Sequence, residues 1–168
     1  MANKNGTLIS NLQASPQVKS PVYQLGGTMK IAQGIVECVA GDFSGGDTIM
    51  LAPIPTGASV VSIKLYHDDI DSGTTITTDV GLYSDSTTVT AIDDDCYASA
   101  STALRGAVAA PGTEMAFEAR DIDKTGQRVW EDGGQSSDPG GLYYIGLKHD
   151  AAGDQGGTVC FVITYVID

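Results

Sequence analysis

The chain has 168 residues and a mass of 17.4 kDa, 42% hydrophobic and 18% charged, the composition of one globular domain. A domain of this size buries roughly 70% of its unfolded surface and needs neither metal nor disulfide to fold. Nine basic groups against 21 acidic ones give a net charge of −12, which argues against phosphate-backbone binding. No apolar run approaches the roughly 20 residues of a membrane span, and the first 30 residues lack a signal-like apolar stretch. Neither nucleic acid nor membrane is expected as a partner, and the chain reads as soluble and unexported.

Charge is uneven along the chain. Residues 1–36 carry Lys4, Lys19 and Lys30 and no acidic group, a balance of +3. The other 132 residues hold 6 basic and 21 acidic groups, a balance of −15. Residues 1–27 are rich in Asn, Gln, Ser and Pro, and Pro16, Pro21 and Gly26-Gly27 interrupt regular structure, so they read as an extended N-terminal arm. A solvated tail has no use for Leu8, Ile9, Leu12, Val18, Val22, Tyr23 and Leu25. Lys4, Leu8, Ile9, Leu12, Val18, Lys19, Val22 and Tyr23 are the candidates for contact with another copy or another protein.

From Thr28 to Asp168 the signal is β, in one domain. Segments 29–39, 47–52, 59–68 and 74–83 are rich in Val, Ile, Thr and Tyr and are bounded by Gly, Pro, Asp and Ser. In the fourth, Ile76, Thr78, Val80 and Leu82 fall on one face and Thr75, Thr77 and Asp79 on the other. Further strands are expected at 115–119, 127–131, 142–150 and 158–167, the last apolar on both faces and therefore central. A short helix fits 93–106, with Asp93 or Asp94 as cap and Gly106 as stop. About eight strands with Gly- and Asp-rich turns predict an all-β fold, an antiparallel jelly roll or β-sandwich, with at most one short helix.

The chemical inventory is thin. His67 and His149 each close a predicted strand before an Asp, which fits solvated strand ends or, if the two ends meet, a metal or acid–base pair. Cys38, Cys96 and Cys160 lack metal-type spacing and read as small apolar residues in a reducing compartment. No nucleophile elbow, phosphate loop or dinucleotide fingerprint is present, so neither catalysis nor a cofactor is expected. In "DIDKTGQRVWED", Asp121, Asp123, Thr125, Gly126 and Asp132 match positions 1, 3, 5, 6 and 12 of a calcium loop. Asp at the twelfth position, Thr at the fifth and the lack of flanking helices fit an ordinary polar turn equally. The acidic runs 67–71 and 93–95 read as solvated loops. Trp130, Tyr143 and Tyr144 offer either a glycan-stacking platform or core packing.

The order of segments carries more than any motif. The arm "NLQASPQV", then "LGGTMKIAQGIVE", then "GDTIMLAPIPTGASVVSIKLYHDDIDSGTTITTDVGLYS" resembles small structural proteins of tailed bacteriophages, most closely from Gly46 to Ser84. The turn Ile54-Pro55-Thr56-Gly57-Ala58, the acidic Gly-Thr turn and "TTDVGLYSD" carry the resemblance. It implies a head decoration (cement) protein: a jelly-roll homotrimer on the outer surface of the virion capsid, made in the host cytoplasm and bound to the major capsid protein. A tail, fibre or vertex component and a glycan-binding sandwich are the alternatives.

Overall fold

The computed structural model describes residues 4–22 and 24–168. Eight strands form two four-stranded antiparallel sheets packed as a β-sandwich. The first sheet has the order β1 (Thr28–Cys38), β8 (Gly157–Ile167), β3 (Ser59–His67), β6 (Val108–Glu114). The second has β2 (Thr48–Pro55), β7 (Leu142–Ala151), β4 (Thr77–Asp85), β5 (Thr90–Ser101). The pairs 1·8, 3·6, 2·7 and 4·5 are the wrapping order of a jelly roll.

Alternation places Val159, Phe161 and Ile163 of β8 and Ile63 and Leu65 of β3 on one inner face. Tyr143, Ile145 and Leu147 of β7 and Val80 and Leu82 of β4 form the other. Phe43, Ile70, Leu104, Met115 and Val129 plug the ends, giving one continuous core. Each such side chain stabilises the fold by about 1.5–3 kcal/mol through removal from water. Among the described residues no helix is long and apolar enough to cross a membrane.

Six expected strands appear within a few residues of their predicted ends, and β8 is central as expected, between β1 and β3. Four expectations are corrected. Residues 93–106 are not helical: β5 covers Thr90–Ser101, and Ala103–Arg105 forms a single 3-10 turn. Four residues of β5, 94–97, bulge between the pairs Leu82↔Asp93 and Val80↔Ala98, and the bulge folds over Gly81. β4 is therefore buried on both faces, with Asp79 and Tyr83 as enclosed as Val80.

The segments 115–119 and 127–131 are not strands. Val129–Asp132 forms a single helical turn, α2, and the missing strand is β6, hidden in the sequence by Pro111 and Gly112. An edge strand tolerates that proline because its free N–H side needs no ladder partner. The arm is not extended throughout: Thr7–Gln13 forms α1, a helix with no buried residue, which ends ahead of Pro16.

Candidate docking surface

The sites expected from short motifs do not assemble. Both histidines face inward, in different sheets, and neither is solvated. His67 Nδ1 donates to the carbonyl of Asp68 at 2.9 Å. His149 shares a 3.0 Å hydrogen bond with Thr78 Oγ1 and meets the Phe43 ring edge-on at 5.2 Å. Asp132 turns inward from α2 onto Arg120 at 2.8 Å, away from a loop that runs through the exposed Asp121, Asp123 and Thr125. Among the described residues no group of three or more His, Cys, Asp or Glu is placed to hold a metal.

The aromatic platform is likewise absent. Tyr143 is buried in the core, Tyr144 points to the opposite face of β7, and Trp130 is half-buried on α2. The three cysteines are free thiols. Burial pushes the Cys96 thiol well above its ordinary range and raises that of Cys38, in keeping with a packing role.

His149 gives a measurable pH signature. Burial, against weaker attraction from Asp47 and Asp150, lowers its pKa from 6.5 to about 4. The folded chain resists a proton that the unfolded chain takes up, so the contribution is full above pH 6.5 and is lost as pH falls towards about 4. The linked loss is about 3 kcal/mol. A His149→Gln variant is expected to lose less stability than wild type between pH 7 and pH 4.5 in urea unfolding, about 2 kcal/mol less. Parallel curves for the two proteins refute this assignment.

The two outer faces of the sandwich differ in chemistry. On the second sheet Lys148 sits among Asp94 at 2.7 Å, Asp150 at 3.3 Å and Asp79 at 3.6 Å, and the first two hold its ammonium above the usual lysine range. The run 93–95 is thus partly paired rather than a free acidic loop. Asp71 is buried and accepts N–H bonds from Ile76 and Thr75 at 2.7 Å and Gly73 at 3.1 Å, which hold its carboxyl below the usual range. It serves to close the turn into β4.

The outer face of the first sheet carries an apolar stripe along β1, flanked by the polar Gln33 and Glu37 on the same strand and by Ser62 and Lys64 on β3. Met29, Ile31 and Ile35 of β1 lie outward at 64%, 61% and 66% exposure, beside the half-buried Val166, Thr164 and Cys160 of β8. Sequence reading missed this stripe because alternation says which residues share a face, not which face is covered.

The arm packs at one end of the same sheet. Thr28 pairs with Ile167 and Ser59 with Val166, so the starts of β1 and β3 share one end of the sheet. At the start of β3 a cleft of about 900 Å³ opens between the arm and the body, lined by Leu8, Gln24, Val60, Val61, Phe117 and Ile122 among others. Of the arm candidates, Lys4, Leu8, Ile9, Leu12, Val18, Lys19 and Val22 are all exposed, Leu12 at 62%, while Tyr23 lies outside the described residues. Leu8 alone among them lines the cleft. An isolated seven-residue helix is marginal in water, so α1 with its apolar side chains open is a segment suited to a partner.

The fold is thus an antiparallel jelly-roll sandwich with an exposed apolar stripe on β1 of the first sheet and a largely apolar exposed arm, alongside single exposed apolar residues elsewhere such as Ile122 and Leu142. No protein-family model and no curated protein matches the chain. Among solved structures it is similar in fold to a chain of the capsid asymmetric unit of cyanophage Pam1, with 22% identity over all of both chains and a TM-score of 0.53. It is also similar to a chain of the capsid of Ralstonia phage GP4, with 24% identity over 89% of this chain and 91% of that one and a TM-score of 0.58.

Proposed function

We propose that this chain is a structural protein of a tailed-phage virion, a decoration (cement) protein that binds the outer surface of the head. In this reading it bridges neighbouring copies of the major capsid protein and self-assembles, the resemblance implying a homotrimer. The carrying observation is an arm rich in exposed apolar side chains and without a carboxylate, beside an exposed apolar stripe on β1, on a chain that is otherwise strongly acidic. The fold likeness to chains of two phage capsids supports the same reading. A sandwich with one apolar side can dock on that side and stay soluble on the other. Weak arm contacts multiply through avidity when several copies engage at once.

The arm is the attachment element in this reading, with Leu8, Ile9, Leu12, Val18 and Val22 as anchors and Lys4 and Lys19 facing an acidic shell. A chain lacking residues 1–27 is expected to keep its far-UV spectrum and to fall at least tenfold in occupancy on heads of its own phage, measured by co-sedimentation. Unchanged occupancy refutes the role of the arm. Copy number per virion separates head from tail: hundreds of copies fit decoration, and a handful fits a tail, fibre or vertex component.

A further inference from the structure

The arm is bonded to itself and only lightly to the body. Among the described residues its hydrogen bonds run from arm to arm: Asn5 Nδ2 donates to Gln13 Oε1 at 2.7 Å, the Val18 N–H to the carbonyl of Asn11 at 3.1 Å and the Leu25 N–H to that of Pro21 at 3.1 Å. The arm is thus a small unit hung on Gly26-Gly27, where Gly26 has a φ of +108° and nothing within 4 Å of an added methyl. Against the body this unit lays Gln24 on Gly126 and brings only Thr7 and Leu8 of α1 to the cleft at the start of β3. Much apolar surface stays open on both sides of that contact: Ile9 and Leu12 of α1 at 47% and 62% exposure, Val61 and Ile122 of the cleft at 45% and 85%. Leu8 and Leu12 stand four residues apart on one face of the helix, and Ile9 flanks them.

We infer that the cleft is the receptor for α1 of a neighbouring copy, so that copies of this chain associate by exchanging arms. Such exchange deepens the self-assembly of the proposed function and rests on that reading for the presence of three copies. Three properties favour the arm of a second copy as the occupant. First, the cleft already accepts this helix. Exchange repeats the Leu8 contact, and a helix released from its own Gly26-Gly27 turn can lay Leu8 and Leu12 together over Val61, Phe117 and Ile122, as an amphipathic helix fills a groove. Second, charge singles out the arm. Copies that each carry −12 repel one another, but the arm holds Lys4 and Lys19 and no carboxylate, while Asp123 lines the cleft and Asp121 stands exposed two residues before it. Third, arm into cleft joins two different surfaces, and a contact of that kind closes into a ring of three, as a homotrimer requires. Val18, Lys19 and Val22 lie beyond α1 and stay open to the shell.

Assembly in solution is tested without heads. Sedimentation velocity of the full chain at tens of micromolar is expected to give an oligomer. Leu8→Cys with Val61→Cys, treated with a short bis-maleimide, is expected to run as covalently joined chains in denaturing electrophoresis, well above the background that Cys38, Cys96 and Cys160 give in the wild type. Leu8→Asp with Leu12→Asp should weaken the association constant by at least about a hundredfold, because two carboxylates must be desolvated against apolar walls. Leu8→Met with Leu12→Met should retain the oligomer. Both leucines are exposed in the single chain, so far-UV spectra of these variants should match wild type. A monomeric wild type, a crosslink formed only within one chain, no crosslink above background, or an oligomer that survives both aspartates would overturn the inference. A chain whose arms stay on their own bodies and that still binds heads leaves the decoration reading standing. A chain that exchanges arms and does not bind heads overturns that reading and leaves the exchange intact.

Discussion

Gly81→Ala is expected to be the most damaging small substitution in the chain. A Cβ built on Gly81 would stand 2.2 Å from the carbonyl carbon of Asp94, 2.3 Å from the oxygen of Asp93 and 2.4 Å from the Cα of Asp94. All three are backbone atoms, so no rotamer change relieves the clash. The bulge of β5 would have to lift, parting Asp94 from Lys148 and the Ala100 N–H from Asp79, and opening Tyr83 to water. Overpacking alone costs about 1–3 kcal/mol, and separating those polar partners brings the total to the order of 4 kcal/mol. For a domain of this size that lowers the melting temperature by roughly 10 °C or more. Gly106→Ala is the control: it has extended backbone and nothing within 4 Å of the added methyl, so its melt should match wild type within about 2 °C. Equal melts for the two variants would show that the bulge is free to move and that the close approach at Gly81 carries no weight.

Gly81 also marks the limit of what the sequence discloses. Alternation in 74–83 correctly places Thr78, Val80 and Leu82 inward, and the doubly apolar 158–167 is correctly central. Such features are local, set by period and composition. The covering of the other face of β4 is not local, because it depends on a bulge in a segment whose Asp caps and alanines favour helix when read alone. Tertiary burial of Tyr97 and Ala98 overrides that preference. The docking surface divides in the same way. The apolar content of the arm is visible in its letters, whereas the β1 stripe becomes visible only once its sheet is seen to lack a covering layer. The calcium template failed because spacing cannot reveal that Asp132 turns inward to a cation twelve residues upstream in the chain.

That cation, Arg120, supports the last prediction. Its side chain is 2% exposed and that of Asp132 is 1% exposed, with Nη1 donating to Asp132 Oδ2 at 2.8 Å and Nη2 to the carbonyl of Val60 at 3.0 Å. Tyr97 donates to the same carboxylate oxygen at 3.0 Å, and the guanidinium carbon lies 4.2 Å from the Phe117 ring centroid. Burial nevertheless raises the Asp132 pKa to about 6, against the pull of Arg120 and Tyr97. A folded pKa above the unfolded value means that the native state holds the proton more firmly. This contribution is complete below about pH 4 and is lost as pH rises through about 6. It runs opposite to that of His149, and the two offset each other between pH 4 and 6. Arg120→Met removes the stabilising cation and leaves a carboxylate that at pH 7.5 is either buried unpaired or must take up a proton. The expected cost there is about 3–5 kcal/mol, shrinking by about 1–2 kcal/mol at pH 5, where the carboxyl is already largely protonated. Adding Asp132→Leu should recover much of the loss at pH 7.5, since replacing both partners leaves no orphaned charge. Urea unfolding of the three proteins at both pH values decides the matter: a penalty independent of pH, or a double variant no better than Arg120→Met, would mean that the pair acts through packing on Phe117 and Tyr97 rather than through charge.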